Sequence, residues 1–228
     1  MKKLVPCSCF APVPFEYDEE IDLKKTPEVA NRIFEGTFMS VKCPKCGKEL
    51  HPEFNFTIKH EDKKIDILFV PERERDDYLR GKSRYQFKKV SRIVIGFPEL
   101  QEKLKIVNEG LDDLVVETVK YYMLSKIEAD NKPENEVRCY FDHLDEKSNL
   151  VFQIHGLKQD EVGFLAIPKS FYDVARVKML AYKRMEPFSL FLTPPYVSVL
   201  RISRVYEDIQ EEGTDGQADK PADSTDEK

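Results

Sequence analysis

The residues best suited to chemistry are cysteines, and one close pair lies in the run Cys43-Pro44-Lys45-Cys46-Gly47. Two thiols three positions apart, with a proline between them and a glycine after them, predict a tight turn that points both sulfurs at one centre. Such a turn supplies half of a tetrahedral zinc site. This stretch therefore predicts two of four metal ligands.

A second close pair near the N-terminus predicts the other two ligands. Cys7 and Cys9 are separated by Ser8 alone, one residue fewer than in the first-named pair. Two close cysteine pairs joined by a longer spacer, here residues 10–42, are typical of ribbon-type zinc sites. Four thiolates leave no open position for water, so the zinc would be structural. The predicted ligands of this structural Zn²⁺ are Cys7, Cys9, Cys43 and Cys46.

Three other interpretations of the thiols stay open. Imidazole also binds zinc, so His51 or His60 could replace one cysteine as the fourth ligand. The 43–46 pair could be redox-active, although the strand-to-helix setting of a thioredoxin motif is missing. In the third interpretation, Cys7 and Cys9 are ordinary thiols and hold no metal.

Length and composition restrict the class of protein. The chain has 228 residues, of which 41% are hydrophobic, enough for one large domain or two small ones. It has no apolar run of about 18 residues, so we expect no transmembrane helix and no membrane partner. Only Leu4 and Val5 lie between the basic start and Cys7, far short of the roughly 7–15 apolar residues of a secretion signal. We therefore expect a cytoplasmic protein with reduced thiols.

The charge is concentrated at the C-terminal end of the chain. The net charge is −6, but acidic residues dominate 207–228, and the rest of the chain is close to neutral. Residues 207–228 have almost no apolar side chains and predict a disordered acidic tail. A near-neutral body neither requires nor excludes a nucleic-acid partner.

Periodicity before residue 130 predicts a mixed set of elements. Val13 to Tyr17 alternates as a strand does, and Thr26 would cap a helix over 27–35 that ends at Gly36. Further predicted elements are a hairpin over 50–70, a short exposed helix within 71–80, a strand over 85–97, and two helices over 98–109 and 112–129 that form an αα-hairpin.

The remainder of the chain predicts a second, β-rich region. Its predicted elements are strands at 137–143, 150–155 and 163–167, a helix at 169–181 and a last strand at 196–205. We thus expect an α+β fold with a zinc-ribbon-like N-terminal unit, an αα-hairpin, a β-rich C-terminal half and the acidic tail. The predicted divisions are residues 1–129, 130–206 and 207–228.

Several stretches of the N-terminal half together resemble a known family. They are Cys43-Pro44-Lys45-Cys46-Gly47, the hairpin up to Val70-Pro71, Arg92-Ile93-Val94, Glu102-Lys103-Leu104 and Gly110-Leu111-Asp112-Asp113. Over about residues 4–127 the chain resembles the CpXC domain, a bacterial domain of uncharacterised function named for two Cys-Pro-x-Cys motifs. Its first motif departs from this pattern, because Pro6 precedes the pair instead of lying within it. The resemblance implies a metal-clipped domain and brings no established activity.

Three functional hypotheses follow. The leading one is a non-catalytic interaction module that binds another protein. The second is nucleic-acid binding through the basic and aromatic region 73–92, with Arg84, Lys88 and Arg92 as contacts, because aromatic rings and cations together bind single strands. The third is an enzyme whose site lies in the C-terminal half and cannot be identified from the sequence.

Overall fold

A computed structural model describes residues 1–131 and 136–202, and shows helices combined with several small sheets. This confirms the α+β class. Residues 207–228, for which we predicted a disordered tail, lie outside the described residues. No helix in the described ranges is long and apolar enough to cross a membrane.

Two short hairpins and one helix form the first part of the chain. The hairpins are antiparallel, and a third strand and the helix lie between them in sequence. The helix buries Val29 and Ile33, and the side chain of Thr26 donates to the carbonyl of Asp22 instead of capping it, so the predicted cap is wrong. In chain order the elements are β1 (Lys2–Pro6), β2 (Pro12–Glu16), β3 (Glu20–Asp22), α1 (Glu28–Phe34), β4 (Val41–Lys42) and β5 (Glu49–Leu50).

A four-stranded sheet with the order β3-β6-β7-β8 follows. Its new strands are β6 (Phe56–His60), β7 (Ile65–Val70) and β8 (Arg92–Ile95), and helix α2 (Arg75–Leu79) lies between β7 and β8 in sequence. β6 and β7 are antiparallel, whereas the β3–β6 and β7–β8 pairs are parallel. The core under this sheet contains Phe56, Phe69 and Val94, which are buried.

The predicted αα-hairpin is present as α3 (Gly96–Asn108) and α4 (Asp113–Asn131). Gly110, between the helices, has a φ of 65°, a backbone conformation that glycine adopts at little cost. A carboxylate oxygen of Asp112 accepts a 3.0 Å hydrogen bond from the backbone N–H of Leu114, as expected of a residue that caps a helix.

The C-terminal half is a three-stranded antiparallel sheet with two helices. The strands are β9 (Arg138–Leu144), β10 (Leu150–His155) and β11 (Val162–Ile167), in the order β11-β10-β9. Helices α5 (Lys169–Tyr182) and α6 (Phe188–Phe191) follow. A core cluster joins this half to α4, through buried residues such as Val116 and Phe152. The division at 129/130 stays a prediction.

Three local predictions are wrong. In the predicted strand 85–97 only β8 is extended, because residues 84–87 form a 3₁₀ turn and α3 already begins at Gly96. In the described part of the predicted strand over 196–205, Tyr196 makes one isolated bridge to Ile93 and residues 200–202 are helical, whereas residues 203–205 lie outside the described residues. The helix predicted within 71–80 is α2, but it is only partly exposed, since Tyr78 is buried.

Candidate metal centre

The first cysteine pair lies at the tip of the β1–β2 hairpin. The backbone N–H of Cys7 donates to the carbonyl of Ala11 at 3.1 Å, and the N–H of Phe10 donates to the carbonyl of Cys7 at 2.9 Å. Phe10, the residue after the second thiol, has a φ of 63°, in the left-handed region. These bonds close a tight turn that places both sulfurs on the same side.

The second pair lies at the tip of the β4–β5 hairpin and forms a comparable turn. The N–H of Cys43 donates to the carbonyl of Lys48 at 2.8 Å, and the N–H of Gly47 donates to the carbonyl of Cys43 at 2.9 Å. Gly47 has a φ of 74° and occupies the position that Phe10 has in the first turn. The shorter first pair therefore keeps the same backbone bend with one residue fewer.

The two turns face each other and bring four sulfurs together in a group that we call the thiol cluster: Cys7, Cys9, Cys43 and Cys46. All four Sγ atoms lie within 4.8 Å of one another. The Cys7–Cys46 and Cys9–Cys43 Sγ pairs are each 3.6 Å apart. A tetrahedral zinc with Zn–S bonds of about 2.3 Å needs sulfurs about 3.8 Å apart, so the cluster fits this ion.

The same distances exclude a disulfide in this structure. A disulfide needs two sulfurs about 2.0 Å apart, and the five cysteines of the chain are free thiols. Neither His51 nor His60 belongs to the group of clustered donors found in the described residues. The donor set is therefore four sulfurs, which suits a soft or borderline metal.

The surroundings of the thiol cluster are apolar on one side and open on the other. Cys7 and Cys43 are buried and pack with Val13, Val41 and Leu50, whereas Cys46 is exposed. A metal would thus reach the cluster from the side of Cys46. The apolar side lowers the local dielectric constant and strengthens the attraction between thiolates and a cation.

The pKa values of the thiols differ within the cluster. The backbone N–H of Cys9 lowers the pKa of Cys7 to about 6, and the backbone N–H of Cys46 lowers the pKa of Cys43. For Cys9 the N–H of Ala11 also acts downward, but burial and the neighbouring sulfurs outweigh it and raise the pKa of this thiol to about 12. Four negative charges thus cannot accumulate here without a cation to compensate them.

Two lysines beside the thiol cluster add positive charge. The ammonium of Lys45 lies 3.5 Å from the carbonyl of Cys9, and the ammonium of Lys48 donates to the hydroxyl of Ser8 at 3.2 Å. Each lysine thus reaches from the second turn to the first. A zinc bound by four thiolates has a net charge of −2, which two ammonium groups would offset.

The three predicted nucleic-acid contacts have different environments. Arg84 and Lys88 are exposed, whereas Arg92 is held by Asp113 through two hydrogen bonds of 2.6 and 2.9 Å. Tyr78 and Tyr85, two of the aromatic side chains expected to stack on bases, are buried. Nucleic-acid binding through 73–92 stays a prediction.

Sequence reasoning missed a buried charge cluster between α3 and α4. The ammonium of Lys120 donates to the carboxylates of Glu102 and Glu117 at 2.8 Å, and all three side chains are at most 3% exposed. Burial raises the pKa of Glu102 to about 7. A sequence signal exists, because Glu117 and Lys120 are three residues apart on one helix, but this spacing is also typical of a solvated surface.

A cleft of about 320 Å³ adjoins Glu102 and bears on the hypothesis of an enzyme. Other polar residues in its lining are Lys105, Arg138 and His155. Lys105 pairs with Asp142 at 2.5 Å, and Arg138 pairs with acidic neighbours. Lys105 and Arg138 are therefore held by internal ion pairs, and no serine, threonine or cysteine is among the residues that line this cleft.

Comparisons with known proteins identify a family and one relative. A family model described as "CpXC protein" matches residues 5–120. An uncharacterised protein of Treponema pallidum (strain Nichols) is 27% identical over 209 residues, which covers 84% of this chain and 94% of that protein. No solved structure matches the chain.

Proposed function

Because the chain belongs to the CpXC protein family, we propose that it is a non-catalytic interaction module whose N-terminal unit is held together by one structural Zn²⁺ in the thiol cluster. The main support for a bound metal is that all four Sγ atoms lie within 4.8 Å of one another. Sites of four sulfurs in a tetrahedron select zinc or iron. Zinc needs no redox partner and is the usual ion of structural sites of this kind.

The metal would connect two elements that are weak alone. The β1–β2 hairpin and the β4–β5 hairpin are separate two-stranded sheets. A two-stranded hairpin is at best marginally stable in water. Each hairpin supplies two thiolates, so the binding free energy of zinc becomes folding free energy for both. The spacer between them, which contains β3 and α1, would be fixed at both ends.

A non-catalytic role is supported by the ligand count. Zinc with four thiolates is closed, whereas a catalytic zinc keeps one position for water or substrate. An interaction role is supported by the surface of the C-terminal half, where large apolar side chains such as Phe164 and Val177 are 64% and 68% exposed. Surfaces of this kind mark binding sites for other proteins.

The experiment that tests this proposal is metal analysis of the full chain purified without added metal. We expect close to one zinc per chain, lost in Cys43→Ser and in Cys9→Ser. Cys139→Ala is the matched control, because Cys139 is a buried free thiol outside the thiol cluster. A full zinc content in Cys9→Ser would remove the N-terminal pair from the site, and a wild-type protein without metal would contradict the proposal.

A further inference from the structure

Strand β11 is an open edge of the C-terminal sheet. Among the residues that the structure describes, it pairs with β10 alone, in the order β11-β10-β9. Val162, Phe164 and Leu165 on this strand are 45%, 64% and 38% exposed. The strand contains no charged residue and no proline between 162 and 167. A regular apolar edge of this kind offers free backbone donors and acceptors to another strand.

The other described sheet edges are blunted in ways that β11 is not. On β9 the N–H of Phe141 donates to the carboxylate of Glu102 at 2.7 Å. On β8 the N–H of Ile93 donates to the carbonyl of Pro195 at 2.8 Å. β1 and β2 contain prolines, which interrupt pairing, and β3 has three residues, two of them acidic.

The charges at the two ends of β11 favour pairing with a second β11. Glu161 directly precedes the strand, and Lys169 follows it after one residue, Pro168. In an antiparallel pair the start of one strand lies beside the end of the other. A register centred on Leu165 would bring Glu161 of one copy near Lys169, the first residue of α5, in the other, twice by symmetry. Opposite charges at the adjacent ends of the two strands would favour this orientation.

Helix α5 adds further exposed apolar side chains next to β11 in sequence. It follows β11 directly after Pro168, and its buried residues are confined to Tyr172, Ala175 and Met179. The rest of the helix exposes large apolar side chains: Phe171, Val174, Val177 and Leu180. A stable protein interface takes roughly 20–30 residues from each partner, more than a six-residue strand supplies. β11 and the part of α5 outside its buried side together have fewer than about 20 residues, so the interface would be a small one.

We propose that the partner of this surface is a second copy of the chain, joined by antiparallel pairing of β11 with β11 across a two-fold axis. The two three-stranded sheets become one six-stranded sheet, and the apolar side chains of β11 and α5 are covered. An antiparallel pair of identical strands satisfies two-fold symmetry without further adjustment. The proposal names the partner of the proposed interaction module and does not depend on the metal.

The test is the mass of the full chain in solution, measured by light scattering or sedimentation over a wide concentration range. We expect a dimer of twice 26.6 kDa. Phe164→Lys and Leu165→Lys should each raise the dimer dissociation constant at least about tenfold, because dimerisation would bury an unpaired charge. Leu4→Lys is the matched control, since Leu4 is 70% exposed on β1, away from this surface. Circular dichroism checks that each variant is folded.

Charge exchange tests the register. Glu161→Lys should weaken the dimer about threefold to tenfold by placing like charges near each other, and Glu161→Lys with Lys169→Glu should restore it. Glu161 pairs with Lys158 in its own chain, but at 66% exposure this pair contributes little. Failure of the exchange to restore the dimer would overturn this register.

Three results would overturn the dimer itself: a monomer at all concentrations, a dimer unaffected by both strand variants, or equal weakening by Leu4→Lys. Zinc content measured in the same samples separates this inference from the proposed function. A monomer with one zinc per chain would refute the partner and leave the structural metal intact.

Discussion

The guanidinium of Arg75 donates a 2.8 Å hydrogen bond to the hydroxyl of Tyr196, a residue 121 positions further along the chain. The same hydroxyl donates to Glu99 at 2.8 Å, and Glu99 also pairs with Arg75. All three residues are at most 9% exposed. A buried polar network therefore attaches the C-terminal segment to the helix and sheet of the N-terminal half. Removing one member leaves buried groups without partners.

Tyr196→Phe should destabilise the protein by about 1–3 kcal/mol, because Arg75 and Glu99 each lose a buried hydrogen bond. Denaturant unfolding monitored by circular dichroism measures this change in the free energy of unfolding. Tyr182→Phe is the matched control, since Tyr182 is 42% exposed, and its effect should stay within about 0.5 kcal/mol. Equal effects of the two substitutions would contradict the role given to the Tyr196 hydroxyl.

Asp113→Asn should destabilise the protein by about 3 kcal/mol at neutral pH. The Asp113 carboxylate contacts Arg92 at 2.6 Å and Lys103 at 2.8 Å. In the variant, both cations lose the negative charge that pairs with them. Thermal unfolding gives the size of the change. Glu109→Gln, an exposed change just after the end of α3, is the control and should have little effect. A loss below about 0.5 kcal/mol would show that the pair contributes little.

The same pair predicts a pH dependence. Burial alone would raise the pKa of Asp113, but Lys103 and Arg92 outweigh burial and hold it well below its usual range. The carboxyl group has a pKa of about 3.9 in the unfolded chain. Its contribution to stability is thus complete above about pH 4 and is lost as the pH falls through the lower value of the folded state. Asp113→Asn should lose less stability on acidification than the wild type.

Glu102→Gln should show the opposite trend. Burial raises the pKa of Glu102 to about 7, whereas a glutamate has a pKa of about 4.3 in an unfolded chain. The contribution of Glu102 to stability is therefore complete at low pH and declines as the pH rises through about 7. The stability of Glu102→Gln relative to the wild type should rise between about pH 4 and about pH 7, and should level off above that. A relative stability that falls with pH would refute the prediction.

Phe10→Gly should stabilise the first cysteine turn. Phe10 has a φ of 63° and is 96% exposed, so the substitution removes backbone strain and almost no contact. We expect a gain of about 1 kcal/mol in stability and a tighter hold on zinc in competition with a chelator.

Gly47→Ala tests the same backbone strain in the second turn, by introducing a side chain at a left-handed residue instead of removing one. Gly47 has a φ of 74°, and no atom lies within 4 Å of the position of an added methyl group. The substitution should therefore cost about 1 kcal/mol through the backbone alone. Equal and small effects at both positions would show that the left-handed bend does not limit the stability of the turns.

The sequence predicted the thiol cluster because thiols are rare and their ligand role depends on short spacings within a turn. It did not predict the cluster of Lys120 with Glu102 and Glu117, because charged side chains on a helix are usually solvated. Only the packing of α3 against α4 shows that these side chains are buried. The register of a tertiary contact is not contained in the pattern of a single helix.

The errors at the ends of strands have a similar cause. Alternation over 85–97 suggested one strand, but Gly96, with a φ of 77°, ends the extended run and begins α3. The last predicted strand contains Tyr196, whose hydroxyl is fixed by Arg75 and Glu99. Tyr196 is buried because of this distant contact, not because it belongs to a strand. Local periodicity cannot distinguish an apolar residue of a strand from one that is buried by a distant contact.

Lys120 is the last residue that the family model covers, yet it lies in the middle of helix α4 with its ammonium group buried. The apolar side of this helix is covered by residues that come after position 136, among them Phe152 and Val197. The segment that the family model matches is thus smaller than the packed unit to which it belongs.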